Sequence, residues 1–324
     1  MEQITKLSND FNEFIKHAKL NGEPSCLYEP VTYTIMQSGK RLRPMLCLLA
    51  CDLFGGNTNN ALYPALALET FHNFTLIHDD IMDNASVRRS KPTVFKKWGG
   101  NQAILSGDVM FAKAVELALK SPVNPAETAR LIAKVSIEVC EGQQFDLEFE
   151  KRNDVSVDEY INMIRLKTAV LLATALDAGA VCANTSETNR QLIYEYGINI
   201  GLAFQLQDDL LDCYGNQEVF GKAIGGDIIE NKKTFLYLKA LETANDADKT
   251  ALFDIFSGKK ILDNNTKIAK VKALYDKVDV KGQTEETIQK YYNKAHSFMD
   301  HIDAPKDKKA NILNYAEMLL KREK

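Results

Sequence analysis

Residues 69–93 read ETFHNFTLIHDDIMDNASVRRSKPT and carry three aspartates and two adjacent arginines. On a helix, Asp79 and Asp83 lie one turn apart on one face, and Asp80 flanks that face. His72 lies about two turns earlier on nearly the same stripe. Two carboxylates about 4 Å apart repel by roughly 4 kcal/mol at an effective dielectric near 20. We therefore expect a cation at this end of the helix.

Oxygen ligands suit a hard cation such as Mg²⁺, which typically bridges one or two carboxylates to a substrate phosphate. Arg88 and Arg89 follow the acidic residues directly, and guanidinium groups are the usual partners of phosphate oxygens. A solvated acidic helix face is the alternative. The acids follow an apolar run that includes Phe74 and Ile77, which favours a metal and phosphate site.

A second polar stripe lies in residues 201–215, which read GLAFQLQDDLLDCYG. Gln205, Asp208 or Asp209, and Asp212 follow one another at helical spacing on an otherwise apolar segment. Chance readily supplies one such cluster, but two of the same spacing favour a shared role. We expect the two clusters to face each other as two walls of one cavity.

Composition favours a single compact core. The 324 residues are 45% hydrophobic, with only 17 glycines and 8 prolines and no linker-like stretch. We therefore predict one domain over residues 1–324. A net charge of −4 gives no general basic face, so nucleic acid is not an expected partner.

The amino terminus lacks the apolar run of a signal peptide, and the longest apolar segment, residues 169–183, is interrupted by Asp177. We therefore expect a soluble protein without a transmembrane segment. The six cysteines form no CxxC pair, and Cys47 and Cys51 share a helix face among apolar residues. Core packing is the expected role of such thiols, and it fits a reducing cytoplasm.

Nearly every segment has an apolar period close to 3.6, and no alternating strand is convincing, so the fold class is all-α. Asp158 is the expected cap of a helix that runs to about residue 183. Residues 214–234 hold Lys222, Lys232 and Lys233, and their position directly after the aspartates favours a lid over the alternative of an ordinary surface connection. The predicted helices are about 2–20, 24–38, 41–54, 59–84, 101–120, 125–149, 158–183, 186–213, and four or five more after residue 235.

These motifs together give a family resemblance. In order, they are GKRLRP, His72 seven residues before the first aspartate, HDDIMD with RR following, RLKTA, and FQLQDDLLD with the lysine loop after it. From about residue 35 to residue 240, the chain resembles the trans-polyprenyl (isoprenyl) diphosphate synthases of the short-chain, farnesyl or geranylgeranyl type. The resemblance implies an all-α, isoprenoid synthase-type helical bundle around a deep central cavity, and usually a homodimer.

The resemblance also implies a reaction and its ions. Isopentenyl diphosphate would be condensed with dimethylallyl, geranyl or farnesyl diphosphate. Mg²⁺, expected at three ions per active site with Mn²⁺ as an alternative ion, would bridge both aspartate motifs to the allylic diphosphate. No side chain has the features of a strong nucleophile or a poised general base, so catalysis is expected from electrostatic stabilisation of the departing diphosphate.

The resemblance assigns roles to individual residues. The main magnesium ligands would be Asp79, Asp83 and Asp208, with Asp80, Asp209 and Asp212 in support. The allylic diphosphate would be held by Arg88, Lys167, Lys222 and Lys232. The diphosphate of isopentenyl diphosphate would be held by Lys40, Arg43, His72 and Arg89. Thr168 and Gln205 would lie beside the reacting carbons.

One residue departs from the family pattern, because Asn231 precedes Lys232 where glycine is usual. Product length would depend on Phe74 and Thr75, which lie below Asp79 on the path of the growing hydrocarbon. A phenylalanine at this position resembles the floor of synthases with short products, so we expect an all-trans product of C15 to C20. Plain core packing is the alternative for Phe74.

Other readings remain open from the sequence. GKRLRP taken alone would be a solvated basic helix start, although three cations at a helix amino terminus suggest a compensating anion. A terpene cyclase shares the first motif, but QDDLLD favours the chain-elongating enzyme. A non-catalytic subunit of a heteromeric synthase would be expected to have lost the aspartates. Glu69 and His72 have the spacing of a di-iron bundle, which requires a second such pair.

Overall fold

The protein is built almost entirely from helices, as a computed structural model shows for residues 2–37, 39–215 and 224–321. The all-α prediction is confirmed. The helical elements are α1 (Glu2–His17), α2 (Ser25–Ile35), α3 (Leu42–Leu53), a 3₁₀ turn (Thr58–Ala61), α4 (Leu62–Met82), α5 (Val94–Trp98), α6 (Gly100–Leu119), α7 (Pro125–Lys151), α8 (Val157–Ile164), a π-helical turn (Arg165–Ala169), α9 (Val170–Cys182), α10 (Glu187–Tyr214), α11 (Gly226–Ile229), α12 (Phe235–Thr243), α13 (Asp246–Phe256), α14 (Asn264–Lys277), α15 (Val280–His301) and α16 (Lys306–Lys321).

The chain divides into two compact units, and four helices (α7, α9, α10 and α16) contribute residues to both. The first unit comprises Met1–Ser136, Thr174–Tyr194 and Ile302–Leu313, and the second comprises Ile137–Ala173, Glu195–His301 and Asn314–Lys324. The single domain over residues 1–324 stays a prediction. No helix in the described ranges combines the length and the apolar character needed to cross a membrane.

In the first unit, α4 packs along α6 and against α3. Pro64 lies in the first turn of α4, where its missing N–H costs no helical hydrogen bond. Ala65, Leu66 and Leu68 are fully buried, whereas Asp79 near the carboxyl end is partly covered and Asp83 is exposed. The helix therefore begins in the core, and of its three aspartates only Asp80 is buried.

A two-stranded hairpin follows α4, although the sequence predicted no strand. β1 (Val87–Arg88) pairs antiparallel with β2 (Lys91–Pro92), and the turn residues Arg89 and Ser90 have φ of 52° and 60°. Two central residues with positive φ are typical of a type I′ turn. The prediction missed the hairpin because strands of two residues are too short for a period-two pattern, and Arg-Ser is not a usual pair for this turn.

In the second unit, α8 begins at a capping box rather than at the predicted cap. The Ser156 side chain accepts from the backbone N–H of Glu159, and the Glu159 carboxylate accepts from the backbone N–H of Ser156. The assignment of Asp158 as the cap was therefore wrong, because it lies within the first turn. The predicted helix to about residue 183 is confirmed as one continuous helical run to Cys182, but a π-helical turn within it, between α8 and α9, was not predicted.

Five helices follow residue 235, in agreement with the predicted four or five. Within the second unit, α12 packs against α8, α14 and α15, and α11 packs against α14. The apolar core of this part includes Phe235, Leu252, Val271 and Ile288. These helices carry no predicted site residue, but α14 supports the segment that carries Lys232.

Candidate active site

The first acidic cluster lies at the carboxyl end of α4. Asp79 and Asp80 belong to its last turn, and Asp83 caps the helix. Asp80 is buried, and its Oδ1 accepts a hydrogen bond of 2.7 Å from Nε of Arg88. Burial raises the pKa of Asp80, while the Arg88 guanidinium opposes the rise. The protein therefore fixes Asp80 itself, whereas Asp83 is exposed.

His72 lies close to three guanidinium groups. Burial and the positive charges of Arg43, Arg89 and Arg88 lower the pKa of His72 well below its ordinary value, so the imidazole is neutral at pH 7. Burial lowers the pKa of Arg43 to about 10, which still leaves it charged at neutral pH. Its Nε is buried and has no hydrogen-bond partner among the described residues. Guanidinium groups gathered around a neutral imidazole suit an anion such as diphosphate.

The GKRLRP segment meets the hairpin at Gly39. A Cβ on Gly39 would lie 3.1 Å from the Arg89 guanidinium, so the arginine packs against bare backbone there. Lys40 is exposed in the same segment. The structure thus brings Arg43, His72 and Arg89 together, with Lys40 next to the glycine that Arg89 contacts.

One of the three cations in GKRLRP is neutralised inside the protein, which corrects the expectation that an anion compensates all three. The Arg41 guanidinium donates to Glu69 Oε1 at 2.5 Å and to the carbonyl oxygens of Ile35 and Gln37. Glu69 is buried and also accepts from Asn73. Because the Glu69 carboxylate is paired with Arg41, it does not fit the di-iron alternative.

Phe74 belongs to a cluster of aromatic rings between α4 and α6. Its ring centroid lies 5.6 Å from those of Phe71 and Phe111 and 4.8 Å from that of His78. The Thr75 hydroxyl donates to the His72 carbonyl oxygen within α4. Phe111, on α6, was not predicted, because nothing in the sequence places it beside Phe74.

The RLKTA motif forms the π-helical turn in the second unit, and two glycines allow neighbouring helices to approach it. A Cβ on Gly142 of α7 would lie 2.4 Å from the backbone N of Lys167, and one on Gly201 of α10 would lie 2.5 Å from Cα of Ala169. Both contacts are shorter than any side chain tolerates. The turn is therefore held between α7 and α10, and π turns within helices are frequent at functional sites.

Side chains of this turn contact both neighbours. The Lys167 ammonium lies 2.5 Å from Asp146 Oδ2 on α7. The Thr168 hydroxyl donates to Gln205 Oε1 on α10 at 3.0 Å, which leaves the Gln205 amide to donate to Asp209 Oδ1 at 3.1 Å. Residues predicted from two separate motifs are thus linked by direct hydrogen bonds.

Asp209 is buried and held from two sides. The Tyr160 hydroxyl donates to its Oδ2 at 2.5 Å, and Gln205 donates to the other oxygen. Burial and the negative charge of Asp227 raise the pKa of Asp209 to about 8, although both hydrogen bonds oppose the rise. Donors from the protein thus occupy both oxygens of Asp209.

Asp212 fixes the start of α11. Its Oδ2 accepts from the backbone N–H of Asp227 at 3.0 Å, and its carbonyl oxygen accepts from the backbone N–H of Gly225. Burial and the neighbouring Asp212 raise the pKa of Asp227 to about 7. The sequence analysis missed Asp227, whose signal was an acidic residue directly after two glycines in the lysine-rich loop.

The residues of the second unit line one cleft, which encloses about 630 Å³ of space that is partly open to solvent. Its walls include Lys167, Thr168, Gln205, Asp209, Asp227 and Lys232. Three further lining residues, Asp146, Tyr160 and Lys233, were not predicted as site residues. Neighbouring residues in the sequence did not indicate a role for them, because each one binds a partner that is distant in sequence. Lys222 lies outside the described residues.

The departure at Asn231 has a conformational explanation. Asn231 has φ of 58°, in the left-handed region where glycine and asparagine are the residues most easily accommodated. Asparagine in place of glycine therefore keeps the same backbone path into Lys232. Lys232 lies at 2.8 Å from Glu230 and 3.9 Å from Asp227.

The two acidic clusters belong to different units, and their facing each other stays a prediction. Within residues 2–37, 39–215 and 224–321, no three His, Cys, Asp or Glu side chains are grouped closely enough to form a metal site on their own. All six cysteines are free thiols, and Cys47, Cys51, Cys182 and Cys213 are buried.

Comparison with known proteins places this arrangement in a family. The family model described as polyprenyl synthetase matches residues 24–278. A short chain isoprenyl diphosphate synthase of Methanocaldococcus jannaschii is 42% identical over 245 residues, which are 75% of each chain. A solved geranylgeranyl pyrophosphate synthase superposes with a TM-score of 0.93 at 41% identity and covers 99% of both chains.

A third comparison concerns a liganded relative. The structure of geranylgeranyl pyrophosphate synthase from Corynebacterium glutamicum complexed with isoprenyl diphosphate and magnesium is 25% identical to this chain, with a TM-score of 0.83. The match covers 99% of this chain and 98% of that one.

Proposed function

The chain belongs to the polyprenyl synthetase family, and from that premise we propose that it condenses isopentenyl diphosphate with an allylic diphosphate. The allylic primer is dimethylallyl, geranyl or farnesyl diphosphate. The products are an all-trans prenyl diphosphate of C15 to C20 and free diphosphate. The enzyme is accordingly a trans-prenyltransferase of the farnesyl or geranylgeranyl type.

One observation carries the proposal. Lys167, Thr168 and Gln205 come from two motifs, yet they line the same cleft, with Lys232 from a third segment. A cation for a diphosphate, two oxygen dipoles for a cationic carbon and a second cation are the groups that an ionising allylic diphosphate needs.

The chain's own groups account for the steps. Lys167 and Lys232 hold the allylic diphosphate in the cleft of the second unit, and Arg88 is assigned to the same diphosphate. As the carbon–oxygen bond breaks, the Thr168 and Gln205 oxygens stabilise the allylic cation by their dipoles. The isopentenyl double bond then attacks that cation. The released diphosphate accepts the proton lost from the new product, because no side chain is assigned as the base.

The diphosphate of isopentenyl diphosphate is assigned to the cluster of the first unit. Arg43 and Arg89 supply charge, and Lys40 lies beside them on the GKRLRP segment. Burial, together with the charges of Arg43, Arg89 and Arg88, lowers the pKa of His72 and keeps it neutral, so its imidazole can donate one hydrogen bond to the anion without adding charge. The two substrates thereby have separate anion sites.

We assign Mg²⁺ to Asp79, Asp83 and Asp208, with three ions per site as the expectation and Mn²⁺ as an alternative. Their hard oxygen donors suit this ion, which usually binds one or two carboxylates together with substrate phosphates. When bound, Mg²⁺ neutralises charge on the diphosphate as it departs. Asp80, Asp209 and Asp212, each of which accepts a hydrogen bond from a protein donor, are assigned supporting positions around these ions.

A direct assay tests the function. Purified protein with Mg²⁺, labelled isopentenyl diphosphate and each allylic primer in turn should give products of C15 to C20 after dephosphorylation and chromatography. Incubation with the allylic primer alone should give no hydrocarbon, which distinguishes chain elongation from a cyclase. Absence of elongated product with every primer would contradict the proposal and favour the non-catalytic subunit.

We also propose a homodimer through α6. Ile104, Leu105, Phe111 and Leu119 are between 38% and 56% exposed, and helical geometry places them within about 120° of one another around this helix. Exposed apolar side chains grouped on one face of a helix commonly mark a protein interface.

The six free thiols support a reducing, cytoplasmic location.

The dimer is tested by sedimentation equilibrium. The wild type should have about twice the chain mass of 36.3 kDa. Leu105→Glu should shift the protein toward the monomer, because a charge in an apolar interface has no partner. Lys270→Glu, an exposed change on α14, should leave the mass unchanged. A wild type that sediments as a monomer would exclude this interface.

A further inference from the structure

Lys232 lies in a segment that two other lysines hold in place. On one side is Lys267 of α14, which is only 8% exposed. Its ammonium donates to the Ile229 carbonyl oxygen at 2.9 Å and to Asn231 Oδ1 at 2.7 Å. Burial lowers the pKa of Lys267 from its ordinary value. The last carbonyl of α11 and the residue before Lys232 are thus fixed by one buried cation.

On the other side is Lys233, the residue after Lys232. Its ammonium donates to the carbonyl oxygens of Phe149 at 2.8 Å and Glu150 at 3.0 Å, and also to that of Arg152. These carbonyls lie at the carboxyl end of α7 and just after it, where the helix leaves carbonyl groups without helical partners. Because its ammonium binds these carbonyl groups, we assign Lys233 no role in binding substrate, although it lines the same cleft.

The backbone conformation of Asn231 gives this support a role. Its φ of 58° lies in the left-handed region, which asparagine adopts more readily than most residues but less readily than glycine. Without a partner for its side chain, Asn231 would change more readily to a right-handed backbone conformation. Lys267 binds that side chain directly, and so opposes the change that would redirect Lys232.

We propose that Lys267 and Lys233 are positioning residues, which anchor residues 229–233 to α14 and to the end of α7 and thereby fix the ammonium of Lys232. The inference rests on the proposed function, in which Lys232 holds the allylic diphosphate. Neither anchor contacts the substrate in this scheme. The three lysines thus have different roles. Lys232 binds the diphosphate, and Lys233 and Lys267 hold Lys232 in place.

The test uses methionine variants, because methionine keeps the length of the lysine stem and removes the ammonium. Lys267→Met and Lys233→Met should each raise the KM for the allylic diphosphate about tenfold, which corresponds to about 1.4 kcal/mol of binding. The KM for isopentenyl diphosphate should stay within about twofold, because its anion site lies in the first unit. Lys270→Met, on the exposed side of α14, is the matched control and should change neither constant.

Two further variants separate positioning from plain stability. Lys232→Met should raise the allylic KM by itself, and adding Lys267→Met to it should raise KM no further, because the anchor acts only through Lys232. Asn231→Gly keeps the left-handed backbone and removes the Oδ1 that Lys267 binds, so it should raise the allylic KM about threefold. This variant tests the same link if Lys267→Met fails to fold.

The possible outcomes are distinct. A lower melting temperature in Lys267→Met and Lys233→Met with unchanged KM values would mean a purely structural role and would overturn the inference alone. An unchanged allylic KM in Lys232→Met would overturn the assignment of Lys232 in the proposed function, and the inference with it. Additive effects in the double variant would show that Lys267 acts by another route.

Discussion

Replacing Asp79 or Asp208 with alanine should lower turnover by about 10² or more. Each carboxylate is assigned to Mg²⁺, and removing one preorganised electrostatic group costs about 3 kcal/mol of transition-state stabilisation. The two residues lie in different units, on α4 and α10, so equal losses at both would indicate that the two clusters serve one reaction. Turnover is measured with saturating isopentenyl and allylic diphosphates at several Mg²⁺ concentrations.

The control for these variants is Asp10→Ala, an exposed aspartate on α1 that should keep full activity. Melting temperatures of all three variants establish whether a loss of turnover reflects unfolding. If a folded Asp79→Ala or Asp208→Ala protein retained full activity, the assignment of that residue to the metal would be wrong. A deficit that high Mg²⁺ partly restores would support direct participation in ion binding.

Replacing Phe74 with alanine should lengthen the product by at least one five-carbon unit. The Phe74 ring packs against Phe71 and Phe111 below the first acidic cluster, so its removal opens space along α4. A hydrocarbon that previously met this ring could then extend past it. Product length is read by chromatography after dephosphorylation, with the primer and isopentenyl diphosphate held in constant ratio.

Two matched variants constrain the interpretation. Phe74→Leu keeps most of the bulk and should change the product distribution little. Thr75→Phe adds a ring one turn below Asp79 and should shorten the product, because it fills space beside Phe74. If Phe74→Ala gave unchanged chromatograms, Phe74 would be ordinary core packing. Longer products only after Phe111→Ala would move the floor from α4 to α6.

The regular helices were predictable because their signals are local. Apolar residues at a period of 3.6 follow from the burial of one helix face, and that period is visible in any window of the sequence. The acidic and basic motifs were equally visible, since Asp79 and Asp83 or Gln205 and Asp209 share a face through helical spacing alone. Departures came where geometry is not periodic, as in the hairpin at Arg89 and the π-helical turn at Thr168.

The partners of the predicted residues were not predictable in this way. Arg41 and Arg43 lie two residues apart in one motif, yet Arg41 is neutralised by Glu69 while Arg43 lies beside His72. Similarly, Tyr160 and Asp227 belong to no recognised motif. Their importance comes from the carboxylates of α10 that they contact or influence.

The sequence by itself determined the all-α class, the family and the chemistry available, because residue types and their spacing along a helix are set by the chain. Only the tertiary structure decided which oxygen of Asp209 meets Tyr160, which arginine remains for an anion, and that Lys267 binds the residue before Lys232. Hydrogen bonds require atoms to approach within about 3 Å. For residues distant along the chain, the packing of the helices sets that distance.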